Sequence, residues 1–252
     1  MDITLDTTTD AANGHDERDR EHSASRPLSP YPLARRGIVS HVPARTAAGW
    51  PSLSPQLDRL WQATFYNDIA PSVSVGFISA LHEEGTTITA RLAAAMLSKR
   101  RNGRVTLIDC NWDRPALHTF FDLDPSPGLA DWLNGDADAK SIRHETAQGI
   151  TVVPAGLVTD TLELAKRFRM RGLRDLIPED DFAIIDLPPV IPCGYAAGLA
   201  ELVDSLVLVT RARATPTAAI VQARAMLDGL PLVGAILNDA RTGLPAWLER
   251  LL

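Results

Sequence analysis

Six short apolar runs, rich in β-branched residues and separated by segments with helical patterning, constrain the fold of this chain more than any other feature. Several runs are apolar at every position, as strands buried on both faces of a sheet are. The alternation of such strands with helices predicts a three-layer, doubly wound α/β domain with a mostly parallel sheet. The predicted strands are 73–79, 104–109, 150–154, 182–186, 205–210 and 232–238, and the predicted helices are 55–65, 87–101, 160–177, 195–202 and 215–228.

The first part of the chain has a different character. It is charged and interrupted by prolines, as in D-E-R-D-R-E-H-S-A-S-R-P-L-S-P-Y-P, with too little apolar content to offset the entropy lost on ordering. The remaining length, in a chain of 252 residues that is 45% hydrophobic, is enough for one large core. We therefore predict a disordered tail over 1–54 and one domain over 55–252.

Composition excludes several classes of function. The net charge of -6 and the pI near 5.5 give no electrostatic reason to bind nucleic acid. No apolar run approaches the roughly 18–20 residues of a membrane span, and the acidic N-terminus does not resemble a signal peptide. Cys110 and Cys193 lie in apolar surroundings, so we interpret them as small buried residues, not as a disulfide or a metal site. A cytoplasmic protein is expected.

Polar motifs follow three of the predicted strands. The first is S-A-L-H-E-E-G-T-T (79–87), which lies between a strand and a helix, as a phosphate-binding loop does. The second and third are I-D-C-N-W-D-R-P and I-I-D-L-P-P, which carry Asp109 and Asp186 at strand ends. Ligands of such folds bind at the carboxyl ends of the strands. Either aspartate alone is more typical of a turn or a helix cap, but the three features together predict one site.

The order of these motifs resembles the cytoplasmic domains of bacterial tyrosine kinases that work with polysaccharide copolymerases. These domains belong to the P-loop ATPases with a deviant Walker A loop. The resemblance runs from Val73 to Asp239 and includes R-P-A-L-H (114–118) and P-G-L-A-D-W-L-N-G (127–135). It implies a P-loop NTPase-like fold, with ATP or ADP and Mg²⁺ as candidate ligands, although the sequence fixes no cofactor. The candidate nucleotide-binding residues are Gly85, Thr86, Thr87 and Asn238, and the candidate magnesium-binding residues are Thr87, Asp109 and Asp186.

The chain departs from the family pattern at the positions that carry the chemistry. The family loop reads approximately S-x-x-P-G-E-G-K-[ST]-T, and here Ser79, Glu84, Gly85 and Thr87 match, whereas Glu83 falls on the first glycine and Thr86 on the lysine. Asn111 replaces the second aspartate of I-D-x-D, and Tyr195 replaces a further aspartate. Loss of one preorganised cationic donor costs roughly 10²–10³-fold in rate, and a neutral amide is no general base. We therefore assign no catalytic residue.

Features of kinase assembly are also absent from the sequence. The resemblance implies an E-x-x-R-x-x-R motif before the first strand and a tyrosine-rich tail, whereas this chain has Q-L-D-R-L-W-Q-A-T-F there and only Tyr31, Tyr66 and Tyr195. Arg91, one turn into the predicted helix, is a candidate substitute for the lysine, with a surface arginine as the default interpretation.

Three hypotheses remain open. The first is a non-catalytic, kinase-like accessory protein of exopolysaccharide polymerisation and export. It is expected to be cytoplasmic and peripheral at the inner membrane through the cytosolic face of a membrane copolymerase, with a second copy of the chain as a further candidate partner. The second is an active ATPase or tyrosine kinase with a rewired site, and the third is a partitioning or division-site ATPase. A helical stripe near the C-terminus could pack on the sheet or serve a partner, and packing is favoured; it comprises Leu244, Trp247, Leu248 and Leu251.

Overall fold

The computed structural model describes residues 39–42, 74–101, 104–178 and 181–239. Its strands are β1 (Val39–Val42), β2 (Ser74–Ser79), β3 (Val105–Asp109), β4 (His144–Glu145), β5 (Ile150–Val153), β6 (Phe182–Asp186), β7 (Ser205–Arg211) and β8 (Leu232–Asn238). Its α-helices are α1 (Thr86–Arg101), α2 (Leu117–Phe121), α3 (Leu129–Asn134), α4 (Thr161–Arg171), α5 (Ala196–Ala200) and α6 (Thr217–Met226), and a 3₁₀ turn covers Arg174–Leu176.

Within the described residues the strands form one sheet in the order β1-β8-β7-β2-β6-β3-β5-β4. Every neighbouring pair is parallel except β4 and β5, which are antiparallel. The order places β2, which leads into the loop 80–85, between β6 and β7. Because β6 also pairs with β3, the loop and both aspartate-bearing strand ends lie on adjacent strands.

Hydrophobic side chains cover both faces of the sheet. Consecutive residues of β3 show this alternation, since Leu107 belongs to the core on the α1 side and Ile108 to the core that includes α3, α4 and α5. Ala93 and Ala94 of α1 are fully buried against the first face. This arrangement confirms the predicted three-layer, doubly wound α/β fold. None of the helices in the described ranges combines the length and apolarity that a bilayer crossing requires.

The structure differs from the sequence expectation in the short elements. Val39–Val42, inside the predicted tail, form a strand parallel to β8, and the two-residue β4 was not predicted. The predicted helix 160–177 ends at Arg171, because Gly172 adopts a φ of +76°, and resumes only as the 3₁₀ turn. The predicted helix 55–65, the rest of the tail and the C-terminal stripe lie outside the described residues.

Candidate functional site

The loop between β2 and α1 is held from inside by a buried carboxylate. Glu84 is 3% exposed, and its Oε2 accepts hydrogen bonds from the backbone N–H groups of Ala80 at 2.7 Å and Leu81 at 2.9 Å. Its other oxygen, Oε1, accepts a hydrogen bond from the Thr215 hydroxyl, just before α6. Glu84 thus fixes the loop to the end of β2 and to the segment after β7.

The next position, 85, requires glycine because of both its backbone conformation and its close contact with a neighbouring side chain. Its φ is +89°, and a Cβ atom there would lie 2.0 Å from Nδ2 of Asn238 at the end of β8. The Asn238 Nδ2 donates to the Glu84 carbonyl at 2.9 Å, and its Oδ1 accepts from the Asp239 amide at 2.9 Å. Asn238 therefore lies against the loop with both ends of its amide engaged. Its contact with a nucleotide base stays a prediction.

Glu83 occupies a left-handed backbone conformation with a φ of +65°. Such a conformation costs a residue with a Cβ atom roughly 1–2 kcal/mol. Its carboxylate pairs with the Arg114 guanidinium at 2.9 Å, and the two side chains are 77% and 55% exposed, so the pair adds at most about 1 kcal/mol. Position 83 of the loop thus keeps a backbone conformation that glycine favours, although its residue is a glutamate.

The two predicted aspartates are adjacent. Asp109 and Asp186 are paired in register at the ends of β3 and β6, and both are fully buried. Asp109 accepts three backbone N–H groups, from Asn111 at 3.1 Å and from Ala116 and Leu117 at 3.0 Å. Burial raises the Asp109 pKa to about 6, against the lowering effect of these hydrogen bonds. Asp109 therefore caps the turn that leads into α2.

Asp186 has a different environment. Neither of its carboxylate oxygens has a hydrogen-bond partner among the described residues. Burial, and then the nearby charge of Asp109, hold the Asp186 pKa well above its usual range. The Thr87 hydroxyl offsets this in part, but its geometry falls short of a hydrogen bond. A buried, unpaired carboxylate beside a hydroxyl is the oxygen ligand set that Mg²⁺ prefers, so Thr87 and Asp186 fit this ion better than the backbone-bound Asp109 does.

No cation takes the place of the missing lysine in the described part of this loop. Thr86 is 7% exposed, and its side chain carries no charge. The Arg91 guanidinium stacks on α2 instead, 3.7 Å from the ring centre of Phe120 and 5.7 Å from that of Phe121. The two arginines that border the loop are also paired, Arg114 with Glu83 and Arg211 with Asp239 at 3.3 Å.

A second polar cluster, which sequence reasoning missed, adjoins the loop. Asp113 accepts hydrogen bonds from the Cys193 thiol at 2.8 Å and from the Tyr195 hydroxyl at 2.9 Å. The Tyr195 ring stacks on Trp112, with the ring centres 5.8 Å apart. Burial and the hydrogen bond to Asp113 raise the Cys193 pKa to about 12. The only sequence signal was the position of Asp113 and Cys193 just beyond two strand ends.

Comparison with known proteins yields related sequences but no matching family model. The tyrosine-protein kinase Ptk of Acinetobacter johnsonii is 34% identical over 125 residues, which are 48% of this chain and 15% of Ptk. The tyrosine-protein kinase Etk of Escherichia coli strain K12 is 29% identical over 164 residues, 63% of this chain and 22% of Etk. The chain thus spans less than a quarter of the length of either relative.

Solved structures share the fold over most of the chain. The kinase domain of VpsO superposes with a TM-score of 0.65 and 26% identity, over 76% of this chain and 97% of that domain. The septum site-determining protein MinD of Pyrococcus horikoshii, solved with Mg-ADP, gives a TM-score of 0.53 and 21% identity over 71% of this chain and 76% of MinD.

Proposed function

We propose that this chain, a homologue of the bacterial tyrosine-protein kinases with the P-loop ATPase fold of their kinase domains, is a kinase-like protein without phosphoryl-transfer activity. In this proposal it serves as an accessory component of exopolysaccharide polymerisation and export, bound to the cytosolic face of a membrane copolymerase. The polysaccharide role and the partner rest on the resemblance of its strand-end motifs to kinases of that process.

The observation that carries the loss of activity is the charge of the loop. A P-loop ATPase stabilises the charge on the β- and γ-phosphates with a lysine, and Thr86 stands in its place. The guanidinium of Arg91, the candidate substitute, stacks on the Phe120 ring of α2 instead. A carboxylate at Glu83 adds repulsion toward a polyanion at the mouth of the loop.

A second function, nucleotide binding without turnover, is favoured by Asp186. Its unpaired, buried carboxylate and the Thr87 hydroxyl fit a magnesium ion, and α1 begins at the loop with its amide N–H groups toward a phosphate position. When bound, Mg²⁺ would neutralise part of the phosphate charge. Thr87 and Asp186 would hold the ion, and Glu84 would keep the loop closed around the phosphates. Asn111 supplies no base, so hydrolysis does not follow.

The proposal is tested first by enzymology. Purified full-length chain, incubated with ATP and Mg²⁺, is expected to release phosphate no faster than a mock preparation. Its tyrosines are expected to carry no phosphate after expression in a host without other tyrosine kinases, as measured by mass spectrometry. Turnover on the order of 1 s⁻¹, the low end for kinases, or phosphotyrosine on the intact chain would refute the proposal.

The role in the cell is tested separately. Deleting the gene is expected to abolish or shorten a secreted polysaccharide, measured by size-exclusion chromatography of the polymer. Re-expression of Asp186→Asn, which keeps the size of the side chain but removes the charged magnesium ligand, is expected to restore it. Failure of this variant, with wild-type protein levels, would instead support the nucleotide-binding function. Unchanged polymer in the deletion strain would exclude the process.

A further inference from the structure

Three potential metal ligands from three different loops lie close together, and one of these loops is the loop 80–85 that follows β2. His82 lies in the loop after β2, Asp113 in the loop after β3, and Cys193 in the loop after β6. One ligand atom of each residue lies within 4.8 Å of those of the other two. This convergence departs from the sequence interpretation of Cys193 as a merely buried residue.

We propose that His82, Asp113 and Cys193 bind one Zn²⁺ ion, at a site separate from the Thr87 and Asp186 oxygens, and that the ion joins the three loops. The ligand set selects the metal. Imidazole nitrogen and thiolate sulfur favour a borderline-soft ion such as Zn²⁺, whereas Mg²⁺ and Ca²⁺ prefer oxygen ligands alone.

The geometry requires only small adjustments of the loops, in which the Cys193 thiol and the Asp113 carboxylate move apart. Bonds of about 2.0–2.3 Å from Zn²⁺ to N, O and S in a tetrahedral arrangement place the ligand atoms roughly 3.3–3.8 Å apart. The separation of Cys193 Sγ and Asp113 Oδ2 is 2.8 Å, and all the separations are within 4.8 Å. Cys193 is 2% exposed while Asp113 is exposed, so the fourth position of the ion would face solvent and take a water molecule.

The Tyr195 side chain already orients the Asp113 carboxylate. The Tyr195 hydroxyl donates to Asp113 Oδ1 at 2.9 Å, which leaves Oδ2 toward Cys193. Stacking on Trp112 fixes the Tyr195 ring in turn. Outer-shell partners of this kind orient metal ligands, and their loss typically weakens binding by about 10–100-fold.

Zinc binding replaces the S–H bond of Cys193 with a Zn–S bond. The Zn–S bond forms as the S–H bond of Cys193 breaks, and the thiol proton leaves to solvent. The ion replaces the hydrogen bond between the thiol and Asp113, while His82 contributes a neutral ring nitrogen. Each bound ion therefore releases one proton.

The test is a titration of chelator-treated, full-length chain with Zn²⁺ by isothermal calorimetry, repeated in two buffers of different ionisation enthalpy to count the proton. One ion per chain is expected at the triad. Substitution of a ligand, in Cys193→Ser or His82→Gln, is expected to weaken that binding at least about 10-fold, as even outer-shell changes do. Co²⁺ as a probe is expected to give a thiolate charge-transfer band that Cys193→Ser loses.

Matched controls come from residues of the same types elsewhere. His144→Gln, on β4 at the far edge of the sheet, and Cys110→Ala, the other free cysteine, are expected to bind Zn²⁺ and Co²⁺ as the parent does. Thermal unfolding without metal identifies any variant that fails to fold. If Cys193→Ser fails to fold, His82→Gln, which lies in a solvent-accessible loop, tests the site in its place. Absence of binding by the parent, or equal binding by the folded ligand variants, would overturn the proposal. Neither result depends on ATP turnover.

Discussion

The two sides of the strand-end site differ in what holds them in place. On the side of β3 and β6, Asp109 and Asp186 are fully buried at adjacent strand ends, and Asp186 has no hydrogen-bond partner among the described residues. On the side of β2, the loop keeps its backbone shape through Glu84 and Gly85 but lacks the cation that acts on phosphate. The shape of a phosphate loop and its catalytic charge are therefore separable, because different residues supply them.

The largest expected effect is the change in the free energy of unfolding with pH, which depends on the ionisation of Asp109 and Asp186 on the side of β3 and β6. Asp109 has its pKa raised from 3.8 to about 6, so between these values the folded state retains a proton that the unfolded state has lost. The free energy of unfolding should then fall by about 3 kcal/mol as the pH rises from 4 to above 6. Asp186, whose pKa is also raised by burial, adds in the same direction. Urea unfolding at several pH values, with chelator present, measures this, and a slope unaltered in Asp109→Asn would contradict it.

Restoring the charge of the loop tests its missing function. Thr86→Lys should tighten binding of Mg–ATP by about 10–100-fold, since a charge-assisted hydrogen bond contributes about 1.5–3 kcal/mol. Turnover should remain below about 1 s⁻¹, because Asn111 stays neutral. Calorimetry with Thr86→Met, of similar length but uncharged, separates charge from packing. Recovery of turnover by Thr86→Lys alone would show that the second aspartate is dispensable.

The two aspartates should respond to different extents to the same substitution. Without metal at pH 7, Asp186→Asn should raise the free energy of unfolding by about 1–3 kcal/mol, because it removes a buried carboxylate that lacks partners. Asp109→Asn should raise it less, because an amide cannot accept all three backbone N–H groups and this loss offsets the gain from removing a buried charge. Urea unfolding of both variants checks this, and equal changes would mean that the environments are equivalent.

The smallest effect is expected at the mouth of the loop. Glu83→Gly should raise the free energy of unfolding by about 1 kcal/mol, because glycine adopts the φ of +65° without steric strain. The lost pair with Arg114 offsets part of this gain, and Arg114→Ala measures that part alone. A lower stability for Glu83→Gly than for Arg114→Ala would show that the glutamate is held there by more than its ion pair.

The long elements were predictable because each is encoded locally. Continuous apolar runs predicted β2, β3 and β6, and the turn residues after them predicted a common site. The short β1 and β4 have no such signal, since four-residue and two-residue strands depend on the neighbouring strand for their hydrogen bonds. Their existence is a property of the assembled sheet.

The proximity of the two aspartates at the strand ends was predictable from the sequence, but their individual contacts were not. The sequence places Asp109 and Asp186 together, but which of them is satisfied by backbone depends on how the turn before α2 is folded. Arg91 was a candidate for the lysine because of its spacing along α1, and the position of Phe120 gave its guanidinium another contact. Cys193 and Asp113 are 80 residues apart, so their contact required the fold.

The carboxylate of Glu84 gives the loop an anion of its own, with consequences for how the protein exchanges hydrogen with solvent. The amides of Ala80 and Leu81 are bonded to Glu84 before any ligand arrives. A loop ordered only by bound phosphate would exchange these hydrogens quickly when free and slowly when bound. Here the two amides should exchange slowly in the free protein, and nucleotide should change their protection little, because the loop supplies internally the negative charge that orders it.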